Sequence, residues 1–276
     1  MQQSRRTFFK TAGAAVASAT LLGCGRTTPA MSAESPLTLG MASYTFREFK
    51  LAECIQMTKR LDLTKIAFKS FHLALDATDA EIREVRQKVT DAGLDLYGGG
   101  VIYMQNEEQV QQAFHYAQTA GMRVIIGVPR HDLLDLVETK VKETDIILAI
   151  HNHGPGDEVY PTPESAFVKI KDRDSRMGLC IDIGHTQRMN LDPATEFLKF
   201  KERVLDIHVK DVSHSSAEGQ TVEIGRGVID IPRFLRTLFE NNYGGVVSLE
   251  YEKDSKDPLP GAAESIGYVR GALAML

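Results

Sequence analysis

Gly178-Leu179-Cys180-Ile181-Asp182-Ile183-Gly184-His185 is a short apolar run that ends in polar side chains. A run this short, opened by a glycine, reads as a buried strand. The chain repeats the construction. Leu37–Ser43, Lys65–Phe71, Asp95–Val101, Arg123–Val128, Ile146–His151, Val204–Lys210 and Gly245–Tyr251 are the other candidate strands, beside Gly178–Ile183. The stretches between them carry helical spacing. Ala80–Ala92 sets Ile82, Val85 and Val89 on one face at i, i+3 and i+7. Glu107–Ala120 and Pro232–Asn241 behave similarly, and Gly93 and Gly121 stand where helices would stop.

Eight apolar runs with helical connections and no long linker predict one closed α/β barrel, a (β/α)8 TIM barrel, over residues 37–276. A doubly wound open sheet is the alternative, but no G-x-G-x-x-G follows the first run. Composition agrees with a single large globular domain: 276 residues, 43% hydrophobic and 25% charged. The formal charge is -5 and the body of the chain has no Lys/Arg run, so nucleic acid is not an expected partner. Three cysteines exclude a disulfide framework. Cys54 and Cys180 lie in apolar stretches and read as buried thiols.

The first 26 residues differ in kind. Arg5-Arg6 precedes a mildly apolar run from Thr11 to Gly23, and no acidic residue occurs before Glu34. This resembles a twin-arginine export signal, with the export machinery as its partner. Leu21-Leu22-Gly23-Cys24 also resembles a lipoprotein signal, which makes Cys24 the expected lipidation site and lipid anchor. The run is too short and too rich in Ala, Ser and Thr to span a bilayer. Residues 27–36 then form a polar tether, and the expected location is periplasmic, as a membrane-anchored lipoprotein. Twin-arginine export carries folded proteins, which suits a metal loaded before export.

Barrel enzymes carry their chemistry on the loops at the C-terminal ends of the strands. The fifth run ends Ile150-His151-Asn152-His153, the sixth Asp182-Ile183-Gly184-His185, the seventh His208-Val209-Lys210-Asp211, and the eighth Leu249-Glu250-Tyr251-Glu252. Alternation puts His151 and His153 on one face, as it does Glu250 and Glu252. Imidazole and carboxylate ligands on four successive strands predict one divalent metal ion. Mn, Fe, Co, Ni or Zn suits such a set, and Mg is less natural with two histidines.

The sequence resembles the xylose isomerase-like barrels, which include sugar isomerases, ketose 3-epimerases and zinc AP endonucleases. The resemblance covers almost all of residues 37–276. It rests on Asp182-Ile183-Gly184-His185, Asp206-Ile207-His208-Val209-Lys210-Asp211, Gly225-Arg226-Gly227-Val228-Ile229-Asp230 and Leu249-Glu250. In the epimerase branch a Glu, an Asp, a His and a second Glu hold the metal. By position the resemblance implies His151, Asp182, His208 and Glu250 as ligands here. His151 is a departure, because the epimerases have Glu there and use the two glutamates as opposed bases. A metal-bound neutral imidazole is a poor base, so epimerisation by the usual pair is in question.

Glu250, Lys69 and His153 are the candidate proton-moving residues. Lys69 is either a base or carbonyl-polarising group, or an exposed charge at the end of the second run. Tyr44, His72, His185, Lys210 and Arg226 are candidate substrate contacts. Tyr44 and Phe46 form either an apolar wall for a sugar or ordinary core, and Arg226 sits in a glycine-flanked turn. His115 reads as a solvated helix residue.

The expected substrate is a small, non-phosphorylated keto-sugar, since no phosphate-cradling glycine loop is evident. The expected reaction is isomerisation or epimerisation through a metal-stabilised enediolate. Two rival readings stand beside it. One is a hydratase or lyase acting on a keto-sugar in glycan breakdown, as exported members of the superfamily resemble. The other is a non-catalytic sugar-binding lipoprotein. The nuclease reading needs more ligands and a basic groove, which this acidic chain lacks.

Overall fold

The computed structural model describes residues 37–276. The expected export signal over residues 1–26, Cys24 and the expected tether over 27–36 lie outside the described residues. Eight parallel strands close the barrel: β1 (Thr38–Ala42), β2 (Lys65–Phe68), β3 (Asp95–Met104), β4 (Val124–Pro129), β5 (Ile147–His151), β6 (Met177–Asp182), β7 (Val204–Val209) and β10 (Val246–Leu249). Neighbours follow chain order and β10 pairs with β1 to complete the ring. The remaining strands, β8 (Asp211–Val212) and β9 (Thr221–Val222), form a small antiparallel hairpin after β7.

The helices are α1 (Leu51–Arg60), α2 (Asp79–Asp91), α3 (Glu107–Ala120), α4 (Leu134–Thr144), α5 (Pro163–Ile170), α6 (Ile183–Arg188), α7 (Pro193–Phe200), α8 (Ile231–Glu240) and α9 (Leu259–Leu273). Side-chain caps start several of them: Thr78 bonds Glu81 N–H, Asn106 bonds Gln109 N–H and Asp230 bonds Arg233 N–H. Each such cap is worth ~1 kcal/mol. Gly121 ends α3 with φ 68°, a left-handed conformation that glycine adopts without penalty. In α8 the apolar stripe is Ile231, Phe234, Leu235 and Leu238, all buried. Shortening one of these to alanine belongs to the class costing about 2–5 kcal/mol.

Two boundaries matter for the site. β3 runs to Met104, beyond the expected Val101, and so carries Tyr103 to the barrel mouth. β2 stops at Phe68 and β10 at Leu249, which leaves Lys69 and Glu250 as the first residues beyond their strands. The hairpin region was not anticipated, because residues 211–230 are polar and without periodicity. Its organiser is Asp211, fully buried, whose carboxylate accepts from the N–H groups of Val212, Gly225, Gly227 and Ile229. The Gly225–Asp230 motif is thus a turn folded around the Asp211 carboxylate, and the Arg226 and Val228 amides donate to Glu223 O and Val212 O.

Candidate metal centre

Register brings the ligand candidates together. Asp182 on β6 pairs with His208 on β7, His208 also pairs with Ser248 on β10, and His151 on β5 pairs with Cys180 on β6. One ligand atom each from His151, Asp182, His208 and Glu250 lies within 4.8 Å of all the others. His151 Nε2 is 3.1 Å from His208 Nδ1 and 3.4 Å from Asp182 Oδ2, and His208 Nδ1 is 3.3 Å from Glu250 Oε2. Ligands about 2.0–2.2 Å from a tetrahedral or octahedral ion sit about 2.8–3.6 Å apart when adjacent, and these three separations fall in that range.

Local structure explains the convergence. Asp182 caps α6: its Oδ1 accepts from His185 N–H at 2.7 Å, which leaves Oδ2 facing the cluster. The helix-cap role of a strand-end Asp and the ligand role are therefore compatible, one oxygen for each. Asn152, a residue with no sequence signal of its own, clamps the Asp182 backbone by accepting from its N–H at 3.0 Å. Beneath the cluster, Tyr97 bonds Ser248 Oγ at 2.6 Å and Asp206 Oδ1 at 3.3 Å. Burial pushes the Asp206 carboxyl up to about 7. His208 Nε2 lies 3.9 Å from Asp206 Oδ2, on the side of the ring away from the cluster.

The residues suit a divalent ion. Burial lowers His151 to about 3, so its imidazole is neutral and can offer a lone pair. Burial also pulls His208 down, but Glu250 beside it more than offsets this. Burial would raise Asp182, yet the charges of His185 and Lys210 hold it well below the usual carboxylate range. Glu250 is held low against burial by Lys210 and His208. Among the described residues, buried Asp182 Oδ2 makes no aligned hydrogen bond; its near neighbours are Lys210 Nζ at 2.9 Å and His151 Nε2 at 3.4 Å. Its lone pairs thus face cationic and ligand groups rather than aligned donors, which suits a ligand oxygen.

The structure revises several substrate-contact expectations. Lys210 is 2% exposed and does not line the pocket above the cluster; its ammonium group sits among carboxylates. Nζ is 2.9 Å from Asp182 Oδ2 and 2.7 Å from Glu250 Oε2, and it also contacts Glu252. His72 is buried against β1 and its following turn, with Nδ1 2.9 Å from Ser43 Oγ and Nε2 3.1 Å from Phe49 O, so both ring nitrogens are used structurally. Arg226 lies outside the pocket lining and is paired with Glu264 on α9. Phe46 is core, and His115 is an exposed partner of Asp79.

Above the cluster lies a cavity of about 200 Å³, lined by Tyr44, Lys69, Val101, Tyr103, His153, His185 and Glu252 together with His151 and Glu250. Tyr44, Lys69, His153 and His185 are therefore gathered as expected. Tyr103 is not a sequence candidate, and Glu252 is one only through its place on the face of Glu250. Alternation with Val101 would have found Tyr103. Tyr103 OH is 3.0 Å from His153 Nε2, while His153 Nδ1 is 3.7 Å from Asp157 Oδ2. Lys69 Nζ donates to Val101 O, and burial lowers its pKa while the Glu250 charge raises it.

A family model described as xylose isomerase-like TIM barrel matches residues 52–272. The chain belongs to this family. Its curated relatives include an inosose dehydratase of Lacticaseibacillus casei, 23% identical over 212 residues, with 71% of this chain and 66% of that protein covered. The chain thus spans just under two thirds of that relative's length. Among solved structures, a D-tagatose 3-epimerase-like protein matches with a TM-score of 0.71 at 18% identity, covering 87% of this chain and 98% of that one. A 3-keto-D-glucoside 4-epimerase from E. coli matches with a TM-score of 0.69 at 16% identity, covering 85% and 99%. At these identities the xylose isomerase-like barrel itself is what the structures share.

Proposed function

We propose that this member of the family is a metal-dependent enzyme that removes a proton beside the carbonyl of a small, non-phosphorylated keto-sugar. The observation that carries the reading is the convergence of His151, Asp182, His208 and Glu250 on the floor of a pocket whose walls hold Lys69 and His153. Those four residues would hold the ion. A divalent ion there supplies Lewis acidity toward a carbonyl oxygen.

The chain's own groups supply the rest. The cavity is about the size of one sugar ring, and Tyr44 and Tyr103 offer it aromatic surface. Burial lowers the pKa of His153, which favours the neutral imidazole a base requires. Its hydrogen bond with Tyr103 fixes the ring in the pocket. His153 Nε2, on opening its bond to the Tyr103 hydroxyl, accepts the proton from the carbon beside the carbonyl, and the C–H electron pair moves into an enediolate. Returning the proton to the neighbouring carbon completes an isomerisation, and returning it to the opposite face an epimerisation.

If the carbon next to the deprotonated one, β to the carbonyl, carries an oxygen substituent, the carbonyl can re-form instead, with a new double bond to that carbon as its C–O bond breaks. The substituent leaves with a proton from the Lys69 ammonium group, and elimination results; the reverse reaction is hydration. His151 favours this second reading. It stands at the position where the epimerase pattern has a glutamate, so the opposed pair of carboxylate bases is missing. The inosose dehydratase relative is consistent with it.

Inosose and a 3-keto-D-glucoside, the compounds in the relatives' names, are the first substrates to test, in deuterium oxide with added Mn²⁺ or Co²⁺. Solvent deuterium should enter beside the carbonyl, and elimination should develop an enone absorbance. Tight sugar binding with neither signal across a panel of keto-sugars would replace the enzyme with the sugar-binding alternative. Export and anchoring through Cys24 remain part of the proposal on the sequence alone. Cys24→Ser should move the protein from the membrane fraction to the soluble fraction, and unchanged fractionation would reject the anchor.

A further inference from the structure

We infer that Lys210 is a built-in cation that competes with the metal for Asp182 and Glu250, and that Glu252 receives it when the metal enters. The inference rests on the metal-centre reading above. Lys210 Nζ lies on Asp182 Oδ2 and Glu250 Oε2, the same two oxygens that approach His151 Nε2 and His208 Nδ1. An ammonium group and a divalent ion cannot both draw fully on those oxygens.

The placement is built into the fold. The stem of Lys210 passes Gly184, where a Cβ would come within 2.4 Å of Lys210 Cγ and 2.6 Å of Cδ. A glycine at the first turn of α6 therefore opens the channel that brings the ammonium group to the ligands. Charge counting points the same way. Asp182, Glu250 and Glu252 against Lys210 give a net charge of -2, the complement of a divalent ion once His151 and His208 both bind it as neutral imidazoles. Without Glu252 the balance would be -1, and without Lys210 it would be -3.

The three carboxylates are not equivalent. The side chains of Asp182 and Glu250 are 0% and 9% exposed, whereas that of Glu252 is 30% exposed and also borders a larger outer cleft. Glu252 can thus hold the ammonium group from the solvent side without losing its own hydration. In the metal-free protein Lys210 screens two buried carboxylates that would otherwise repel each other. It is a positioning residue for the ligands, and contact with the sugar is not required of it.

The test is titration of the full-length chain with Co²⁺, read by calorimetry and by the visible absorption of the bound ion, with thermal melting of each metal-free protein. Lys210→Met should bind Co²⁺ at least about tenfold more tightly than wild type and melt lower when metal-free; Glu252→Gln should bind at least about tenfold more weakly. Affinities of both variants within twofold of wild type, or shifts of the opposite sign, would overturn the inference. If Lys210→Met does not fold, Glu252→Gln decides alone. A wild type that takes no Co²⁺ beside a Lys210→Met protein that does would uphold the competition and reject the metal-dependent function. Binding by neither rejects both.

Discussion

Asp182→Asn is expected to remove metal binding and turnover together while leaving the barrel folded. The substitution is selective because the two oxygens of Asp182 have separate tasks. An asparagine oxygen can still accept from His185 N–H, as Oδ1 does at 2.7 Å, so the cap of α6 survives. The group replacing Oδ2 is an amide NH2, which cannot ligate a cation and would point donors at Lys210 Nζ. Bound metal should fall from about one ion per chain to below about a tenth, measured by elemental analysis after dialysis against excess ion. Turnover should fall by about 10³-fold or more, since a metal ion supplies several kcal/mol of transition-state stabilisation.

Metal at about 100 times its dissociation constant should stabilise wild type by ~2.7 kcal/mol and the variant by nothing measurable. A fully metal-loaded, active Asp182→Asn protein would dismantle the assignment of the centre. His151→Ala serves as the companion, because it removes a ligand without adding donors. It should lose metal as well, and retention of a full complement would exclude His151 from the ligand set.

Lys69→Met is the second large effect, with the opposite metal result. Lys69 lines the pocket and its ammonium group touches none of the four ligand side chains, so metal content should stay at the wild-type level. Turnover should fall by about 10²–10⁴-fold, the usual contribution of a positioned proton donor. Burial pulls the Lys69 pKa below its ordinary 10.5, against the raising effect of Glu250. The donor form exists below that lowered pKa. Wild-type activity should therefore decline as pH rises through a value under 10.5, and the methionine variant should lack this alkaline limb.

The stability consequence has a definite sign. Between the lowered pKa and 10.5 the unfolded chain holds the proton and the folded chain does not, so Lys69 makes folding more favourable as pH rises through that window. At neutral pH the buried charge is a cost, and Lys69→Met should leave the melting temperature unchanged or raised. A variant with wild-type turnover and an intact alkaline limb would show that Lys69 moves no proton.

Much of this was legible along the chain, for a simple reason. A parallel barrel makes every strand a short apolar run and brings all C-terminal strand ends to one mouth. Polar groups ending runs five to eight therefore had to be neighbours, whatever their separation in sequence. That geometry put the polar run ends together, and the family resemblance singled out His151, Asp182, His208 and Glu250 among them. The helices were equally open to reading, since α2, α3 and α8 owe their burial to the i, i+3, i+7 spacing.

What local pattern could not decide was which partner each polar side chain would meet. His72 is held by Ser43, 29 positions away, and Arg226 by Glu264, 38 positions away. Both carry the residue types of a sugar site, but His72 is bonded within the fold and Arg226 forms an exposed ion pair away from the pocket. Lys210 reads as a pocket residue from its position after β7, but the open space at Gly184 and the carboxylates of Asp182, Glu250 and Glu252 draw it inward. Tyr103 joins the site only because β3 runs to Met104 alongside β4. The sequence by itself determined the barrel and the end of it that gathers the candidate ligands, because both follow from the period and placement of apolar residues. The tertiary structure alone decided which cation and which hydrogen-bond partner each buried group receives, because those pairings join distant segments and are selected by space and charge.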